Sequence, residues 1–411
     1  MSRALPLLLL AGCVLPEFEE DQAPPPPNVL MIVGDDQSWT DFGFMGHPHI
    51  RTPHLDRLAA ESLTYVNGYV PTSLCRASLA TILTGQYAHR HRICCNDPPD
   101  GTAREAMHPF MQNAPTIPRL LRARDVRSFQ TGKFWEGHYS NGGFTHGMTE
   151  KGRHGEDGLK IGRDTLRPIY DFIEADRSKP FFVWYAPMLP HEPHNPPDRL
   201  LKKYLAEDRD VRLSKYWAMC EWFDETVGEL LSWLELRGLS DNTLVVFMID
   251  NGWIQETGPR KTTRGNFAPK SKMSPYDGGL RTPVLIRWPG HVKPERREDL
   301  VSTVDVAPTI LNACGVAPPP AMDGADLLRR GRSMVFGDLY THTAVDLEKP
   351  ALNLTHRWVR RGDWKLILPV AGPAELYDVR SDPFETKDRA TADAGRVAEL
   401  TKVLDAWWSG R

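Results

Sequence analysis

The chain has 411 residues, 41% of them hydrophobic, which is enough for a large core and excludes a disulfide-dependent mini-scaffold. Its 35 prolines and 32 glycines fall below the proportion typical of low-complexity disordered chains. Fifty basic and 53 acidic residues give a net charge of −3 without a long basic run. This balance argues against binding to nucleic acid or to an anionic membrane surface.

The N-terminal residues have the layout of an export signal. A basic residue precedes an apolar run over residues 4–10, and the sequence Ala-Gly-Cys then ends at Cys13. The run is too short to span a bilayer, and its small-small-Cys ending resembles a bacterial lipobox. We expect residues 1–13 to be a lipoprotein-type signal peptide with lipid attached at Cys13, which would place the protein on a bacterial membrane, periplasmic or cell-surface. An ordinary cleaved signal is the alternative, and the proline-rich residues 14–27 suit an extended tether.

The next part of the chain alternates between strand and helix patterns. Short apolar runs typical of strands covered on both faces lie at residues 29–33, 181–185 and 244–249. Helical patterns lie between them, at residues 54–61, 77–83 and 215–237. This alternation predicts an α/β fold with a doubly wound, mostly parallel central sheet flanked by helices, and we assign it to residues 28–334.

The pattern changes near residue 335. Strand-like runs at residues 357–360 and 364–368 are followed by a final helical pattern at residues 392–408. We therefore predict a smaller C-terminal subdomain with an antiparallel sheet over residues 335–411.

Five cysteines follow the predicted signal: Cys75, Cys94, Cys95, Cys220 and Cys314. Their odd number leaves at least one unpaired, and spacing alone gives no connectivity. The Cys-x-x-Cys spacing of zinc sites is absent.

Polar residues end two of the predicted strands. Asp35 and Asp36 follow the first, and Asp250 and Asn251 follow the strand at residues 244–249. Ligands of doubly wound sheets gather beyond the carboxyl ends of the strands, so these four side chains are a candidate site for Ca²⁺ or Mg²⁺. Taken alone, paired aspartates after a strand are also common as helix N-caps.

A segment around Cys75 gives this site a context. Residues 72–85 read TSLCRASLATILTG, with the cysteine at a helix start and Thr-Gly ten residues on. This resembles the sulfatase family of the alkaline phosphatase superfamily, whose signature is Cys-x-Pro-x-Arg followed by Thr-Gly. The resemblance implies that Cys75 is oxidised before export to formylglycine by a formylglycine-generating enzyme, and that its hydrate is the nucleophile beside the cation.

The resemblance extends through nearly the whole chain. Lys133 after a glycine, His191 in Pro-His-x-Pro, and Lys272 ahead of Tyr-Asp-Gly-Gly stand where the family places sulfate-contacting lysines and a leaving-group histidine. The resemblance therefore implies catalytic roles for Cys75, Lys133, His191 and Lys272. It also implies a metal site formed by Asp35, Asp36, Asp250, Asn251 and Cys75.

Two departures from the family pattern stand out. Ala77 replaces the motif's proline and Leu79 replaces its arginine, which puts maturation of the cysteine in question. Trp135 stands where many members have a histidine two residues beyond the lysine. His138 or His146 is a candidate to replace that histidine, and Arg76 is a candidate to restore the lost positive charge.

These observations predict an enzyme that hydrolyses a sulfate monoester, with sulfated carbohydrate as the favoured substrate class. Trp39, Trp135 and Trp253 lie close to the motifs and are candidates for stacking on sugar rings. A phosphodiesterase or phosphonate monoester hydrolase is the alternative on the same scaffold. A sulfated-glycan-binding pseudoenzyme is the alternative from another class.

Overall fold

The protein is described by a computed structural model that covers Met1, residues 24–259 and residues 265–410. Most of the predicted signal peptide, including Cys13, and most of the predicted tether lie outside the described residues. Within the described part of the chain, no helix combines the length and apolar character needed to cross a membrane.

Eight strands form the central sheet. They are β1 (Asn28–Gly34), β2 (Leu63–Tyr69), β3 (Arg127–Gly132), β4 (His146–Gly147), β5 (Phe181–Ala186), β6 (Thr243–Ile249), β7 (Arg281–Arg287) and β8 (Glu295–Ser302). Their spatial order is β4-β3-β5-β1-β6-β7-β2-β8. Only β7 runs antiparallel to its neighbours in this sheet, so the predicted doubly wound, mostly parallel architecture is confirmed.

Most of the helices pack around this sheet, whereas the last one packs on the C-terminal sheet described below. The helices are α1 (Pro53–Ala60), α2 (Cys75–Thr84), α3 (Ala88–His91), α4 (His108–Asn113), α5 (Ile117–Leu121), α6 (Arg167–Glu174), α7 (Asp198–Tyr204), α8 (Val211–Leu236), α9 (Asp277–Leu280), α10 (Val306–Ala313), α11 (Pro350–Asn353) and α12 (Ala394–Trp407).

Strand β1 shows why its sequence is apolar without interruption. Val29, Met31 and Val33 pack into one hydrophobic cluster, whereas Leu30 and Ile32 pack into another. Successive side chains of a strand point to opposite faces, so both faces of the sheet are covered and every residue of β1 is buried.

Side-chain hydrogen bonds hold the first turns of two helices. The side chain of Asp210 accepts a hydrogen bond from the Arg212 backbone N–H, which caps α8 at its first turn. The side chain of Asn96 accepts a 3.0 Å hydrogen bond from the Arg76 backbone N–H, so α2 starts at Cys75. This second cap comes from a distant loop, which local sequence cannot reveal.

A separate antiparallel sheet follows the larger unit. It contains β9 (Met334–Tyr340), β10 (Leu354–Arg361), β11 (Trp364–Pro369) and β12 (Glu375–Asp378), as predicted for the C-terminal part. Lys365 of β11 is fully buried and pairs with Asp277 at 2.8 Å and Glu385 at 2.9 Å, which ties this sheet to α9 of the larger unit. The division of the chain at residue 335 stays a prediction.

Candidate active site

The acidic and amide side chains predicted as metal ligands lie together. Because β1 and β6 pair in parallel with their last residues opposite each other, Asp35 and Asp36 emerge beside Asp250 and Asn251. The Asp36 backbone N–H donates to Asp250 Oδ1 at 3.2 Å, and Asn251 Nδ2 donates to Asp36 Oδ1 at 2.6 Å. All four residues are buried.

The donor set fits a hard divalent cation. Asp35 Oδ2 and Asn251 Oδ1 are buried and accept no hydrogen bond from the described residues. Ligand atoms of Asp35, Asp36 and Cys75 lie within 4.8 Å of one another, and Asp250 adjoins this group through the Asp36 backbone. Buried oxygen acceptors without donors suit Ca²⁺ or Mg²⁺, whereas a zinc site would use histidine or thiolate ligands.

Two lysines face the acids. Lys133 is 1% exposed, and its Nζ lies 2.5 Å from Asp35 Oδ1 and 3.3 Å from Asp250 Oδ2. Lys272 Nζ lies 2.5 Å from Asp36 Oδ2. The turn that positions Lys133 needs glycine before it, since Gly132 has a φ of +71° and a Cβ there would lie 1.9 Å from the Ala186 carbonyl oxygen.

Burial and charge shift the carboxyl groups in opposite directions. Burial raises the pKa of Asp35 to about 6 and that of Asp250 to about 7, although Lys133 acts to lower both. Burial also acts to raise the pKa of Asp36, but Lys272, His191 and Lys133 outweigh it and hold this pKa below its usual range. The lysines therefore do not neutralise the three acids equally.

Cys75 begins α2, as the sequence predicts. Its side chain is buried beside the acids, and burial raises the pKa of its thiol to about 11, against the opposing influence of Lys133 and Lys272. The unmodified thiol is therefore protonated near neutral pH and is a weak nucleophile. Leu79, the departure from the family motif, packs into the main hydrophobic cluster.

His191 lies on the loop after β5. Its Nδ1 donates to the Glu192 carbonyl oxygen at 2.5 Å, and its Nε2 lies 3.3 Å from Asp36 Oδ2. Burial lowers the pKa of this imidazole to about 3. With Nδ1 committed to the backbone, Nε2 is the nitrogen that faces the acids.

A cavity of about 810 Å³ brings these groups together. Cys75, Asp36, His191 and Lys272 line it, with Trp135 and Trp253 in its wall. Trp39 lies instead in a different cavity, where the Arg281 guanidinium covers its ring at 3.8 Å. The C-terminal part of the chain completes the wall with the last residue of β9, the loop residues 341–343, and residues 355 and 356 of β10, none of which the motifs indicated.

The structure does not support the residues that the sequence suggested as replacements for the motif's arginine and histidine. Arg76 is buried in a bidentate ion pair with Glu136, at 2.8 and 2.7 Å, so its charge is already neutralised. His138 bonds to Ser140, and His146 is exposed at the sheet edge; neither lines the cavity.

The cavity contains another histidine that the sequence reasoning missed. His154 lines it together with Arg153, and its ring lies edge-to-face against Trp135 with the centroids 4.4 Å apart. It comes 19 residues after Trp135, and no motif spacing relates it to the other residues of the site. The hydrogen bond from the Phe134 backbone N–H to the His154 carbonyl oxygen brings the two segments together.

All five cysteines after residue 13 are free and buried in the structure. Cys94 and Cys95, the pair considered for a disulfide, pack into a small hydrophobic cluster with Leu74 and Ala77.

Most of the chain matches the model of one known protein family. Residues 27–316 match the model described as "Sulfatase", and residues 265–406 match "N-sulphoglucosamine sulphohydrolase, C-terminal". N-acetylgalactosamine-6-sulfatase of Homo sapiens is 30% identical over 353 residues, covering 74% of this chain and 66% of that protein. Arylsulfatase A of Homo sapiens is 30% identical over 483 aligned positions, covering 98% and 89%.

Solved structures share the fold. One, described as BT4656 in complex with its substrate D-glucosamine-2-N,6-O-disulfate, has a TM-score of 0.72 at 21% identity and covers 94% of this chain and 98% of that one. The phosphonate monoester hydrolase of Agrobacterium radiobacter has a TM-score of 0.71 at 18% identity, covering 94% and 96%. At these identities the likeness concerns architecture alone.

Proposed function

Because this chain belongs to the sulfatase family, we propose that it is a sulfuric ester hydrolase that cleaves a sulfate monoester of a carbohydrate. The observation that carries the proposal is the single cavity in which Cys75, Lys272 and His191 adjoin the acidic cluster. The carbohydrate class is supported by relatives whose names specify a sulfated amino sugar.

The finer part of the proposal concerns two groups that complete the site. A formylglycine-generating enzyme would convert Cys75 during maturation, and Asp35, Asp36, Asp250 and Asn251 would hold Ca²⁺ or Mg²⁺. When present, hydrated formylglycine supplies a hydroxyl nucleophile, and the cation stabilises negative charge on it and on the sulfate oxygens. Burial raises the pKa of the Cys75 thiol to about 11, so the unmodified side chain is a poor nucleophile and the proposed activity requires its conversion.

The chain's own residues stabilise charge and move a proton. Lys133 and Lys272 provide positive charge beside position 75, where sulfate oxygens gain negative charge during the reaction. His191 is held through Nδ1, so Nε2 is the atom that delivers a proton to the departing alcohol oxygen. Burial lowers the pKa of this imidazole, so the proposed acid role requires His191 to gain its proton when the anionic substrate binds.

The test combines maturation and turnover. The protein is co-expressed with a formylglycine-generating enzyme, and the peptide containing Cys75 is examined by mass spectrometry for loss of the thiol in favour of an aldehyde or its hydrate. The product is assayed on a panel of sulfated sugars, an aryl sulfate, a phosphodiester and a phosphonate monoester. Higher turnover of the phosphorus esters would favour the alternative, and binding of sulfated glycans without turnover would indicate a pseudoenzyme.

We also propose that the protein is exported and held at a bacterial membrane through lipid on Cys13. The support is the sequence layout of residues 1–13 alone. Metabolic labelling with a radioactive fatty acid should mark the wild type but not Cys13→Ser, and equal labelling of both would contradict the anchor.

A further inference from the structure

His154 occupies a part of the cavity that the family motif does not account for. The motif's histidine is absent because position 135 is tryptophan, and Trp135 is 2% exposed with its ring against His154. The ring centroids of His154 and His191 are 6.1 Å apart, so an imidazole still lies next to the leaving-group histidine. Beside the leaving-group histidine, the cavity thus has an imidazole that comes from another segment of the chain.

The orientation of His154 is set by an arginine. Arg153 Nη1 lies 2.8 Å from His154 Nε2, and the guanidinium is itself held by Asp97, which accepts from Nε at 2.7 Å and from Nη2 at 2.8 Å. An arginine only donates hydrogen bonds, so Nε2 accepts, and a neutral ring then carries its proton on Nδ1. Arg104 also binds Asp97 at 2.5 Å, which fixes the carboxylate that orients Arg153.

The remaining nitrogen is available to a ligand. Nδ1 of His154 makes no hydrogen bond with the described residues, and it is not among the buried atoms that lack a partner. It is therefore accessible from the cavity that His154 lines with Cys75 and Lys272. Burial lowers the pKa of the His154 ring to about 2, and the neighbouring Lys133, Arg153, His191 and Lys272 also disfavour a second proton on it.

We propose that His154 is a sulfate-contacting residue of this enzyme, held by Arg153 in the tautomer with hydrogen on Nδ1 so that it donates a neutral hydrogen bond to a sulfate oxygen. The inference rests on the proposed sulfatase activity and gives one function of the missing histidine to a different segment. His154 is not a base here, because its unprotonated nitrogen is already bound by the Arg153 cation. Arg153 is a positioning residue that acts through His154.

The first test is independent of turnover. Unconverted protein that retains the Cys75 thiol is titrated with inorganic sulfate in the presence of Ca²⁺ by calorimetry. We expect His154→Ala to weaken sulfate binding about tenfold, the upper range for one neutral hydrogen bond, and His154→Asn to stay within about threefold, since its amide places a donor near the Nδ1 position. His138→Ala, which removes a histidine outside the cavity, is the matched control and should bind like the wild type.

The second test reads the tautomer. In protein labelled with ¹⁵N-histidine, the signals lost in His154→Ala identify this ring, and we expect its hydrogen on Nδ1 in the wild type. Arg153→Met should abolish that preference, whereas a merely structural role of Arg153 would leave it unchanged. Hydrogen on Nε2 in the wild type would overturn the inference.

Turnover separates this inference from the proposed function. In converted enzyme we expect His154→Ala to lower kcat/KM for an aryl sulfate about 10²-fold, the range for loss of one preorganised donor, with His154→Asn retaining most of the activity. If the wild type hydrolyses sulfate esters and His154→Ala matches it in binding and turnover, only the role of His154 is wrong. If the wild type neither binds sulfate nor hydrolyses sulfate esters, the sulfate site itself is wrong and both proposals fall.

Discussion

Replacement of Asp250 by asparagine tests the cation site with two effects of opposite sign. The change keeps the shape of a buried side chain but removes one of three carboxylates. Lys133 keeps its partner Asp35 at 2.5 Å, so no buried ammonium is left alone. Burial raises the pKa of Asp250 from its ordinary value near 4 to about 7, so the metal-free protein loses stability as the pH rises from about 4 to 7, and above 7 it keeps the full cost of the buried carboxylate. At pH 8 without metal, Asp250→Asn should therefore be at least as stable as the wild type.

Added Ca²⁺ should reverse that order. A ligand at 100 times its Kd stabilises the folded state by about 2.7 kcal/mol, and a hundredfold weaker affinity would leave about 0.4 kcal/mol at the same concentration. The assay is thermal unfolding at pH 8 with excess Ca²⁺ or with chelator, alongside metal content by elemental analysis. Asp224→Asn is the control, since Asp224 is a buried aspartate that caps α1 and does not line the cavity, so it should keep the full Ca²⁺ effect. A full Ca²⁺ effect in Asp250→Asn would refute the assignment of the cation to this cluster.

Two further predictions concern the active site, and a third concerns a buried carboxyl group outside it. Cys75→Ala should abolish turnover with little change in melting temperature, and residual activity in that variant would refute its role as nucleophile. His191→Ala should slow alkyl sulfates on the order of 10² more than an aryl sulfate, since proton donation matters most for poor leaving groups, whereas Lys272→Ala should slow both alike. Burial raises the pKa of Asp41 to about 7, so the wild type should lose stability as the pH rises from about 4 through 7, by up to about 1.4 kcal/mol per pH unit. Asp41→Asn should flatten that part of the curve in thermal unfolding at pH 5 and pH 8, and an unchanged slope would contradict it.

The sequence was sufficient wherever the information is local or follows from strand topology. An apolar run that packs into clusters on both faces of the sheet is recognisable as a central strand, as β1 demonstrates. Two such strands in parallel bring their carboxyl ends to one edge, so the sequence pattern places Asp35 and Asp250 together, as the pairing of β1 with β6 confirms. The position of Lys133 is also recognisable from local sequence, because it follows a glycine in a turn where any side chain would clash with the backbone.

Pairings between distant segments were beyond the reach of that reasoning. Arg76 lies next to the nucleophile in sequence, yet its side chain turns to Glu136, 60 residues away, and is neutralised there. His154 enters the cavity because its carbonyl oxygen accepts from the Phe134 backbone, a contact that no spacing rule predicts. Gly155 permits this approach, since a Cβ there would lie 2.4 Å from the Gly132 carbonyl oxygen.

The neutralisation of Arg76 also bears on which esters the site favours. With Leu79 in place of the motif's arginine, the cations next to position 75 are Lys133 and Lys272, set against three carboxylates. With a bound divalent cation, these two lysines and three carboxylates carry a net charge of about +1. This charge balances the single negative charge of a sulfate monoester but not the two charges of a phosphate monoester at pH 8. We expect p-nitrophenyl sulfate to be hydrolysed with a kcat/KM at least 10²-fold above that of p-nitrophenyl phosphate. Bis-p-nitrophenyl phosphate, which also carries one negative charge, serves as the control for the phosphorus centre and should fall between them. Equal rates for the sulfate and phosphate monoesters would show that net charge does not govern selection at this site.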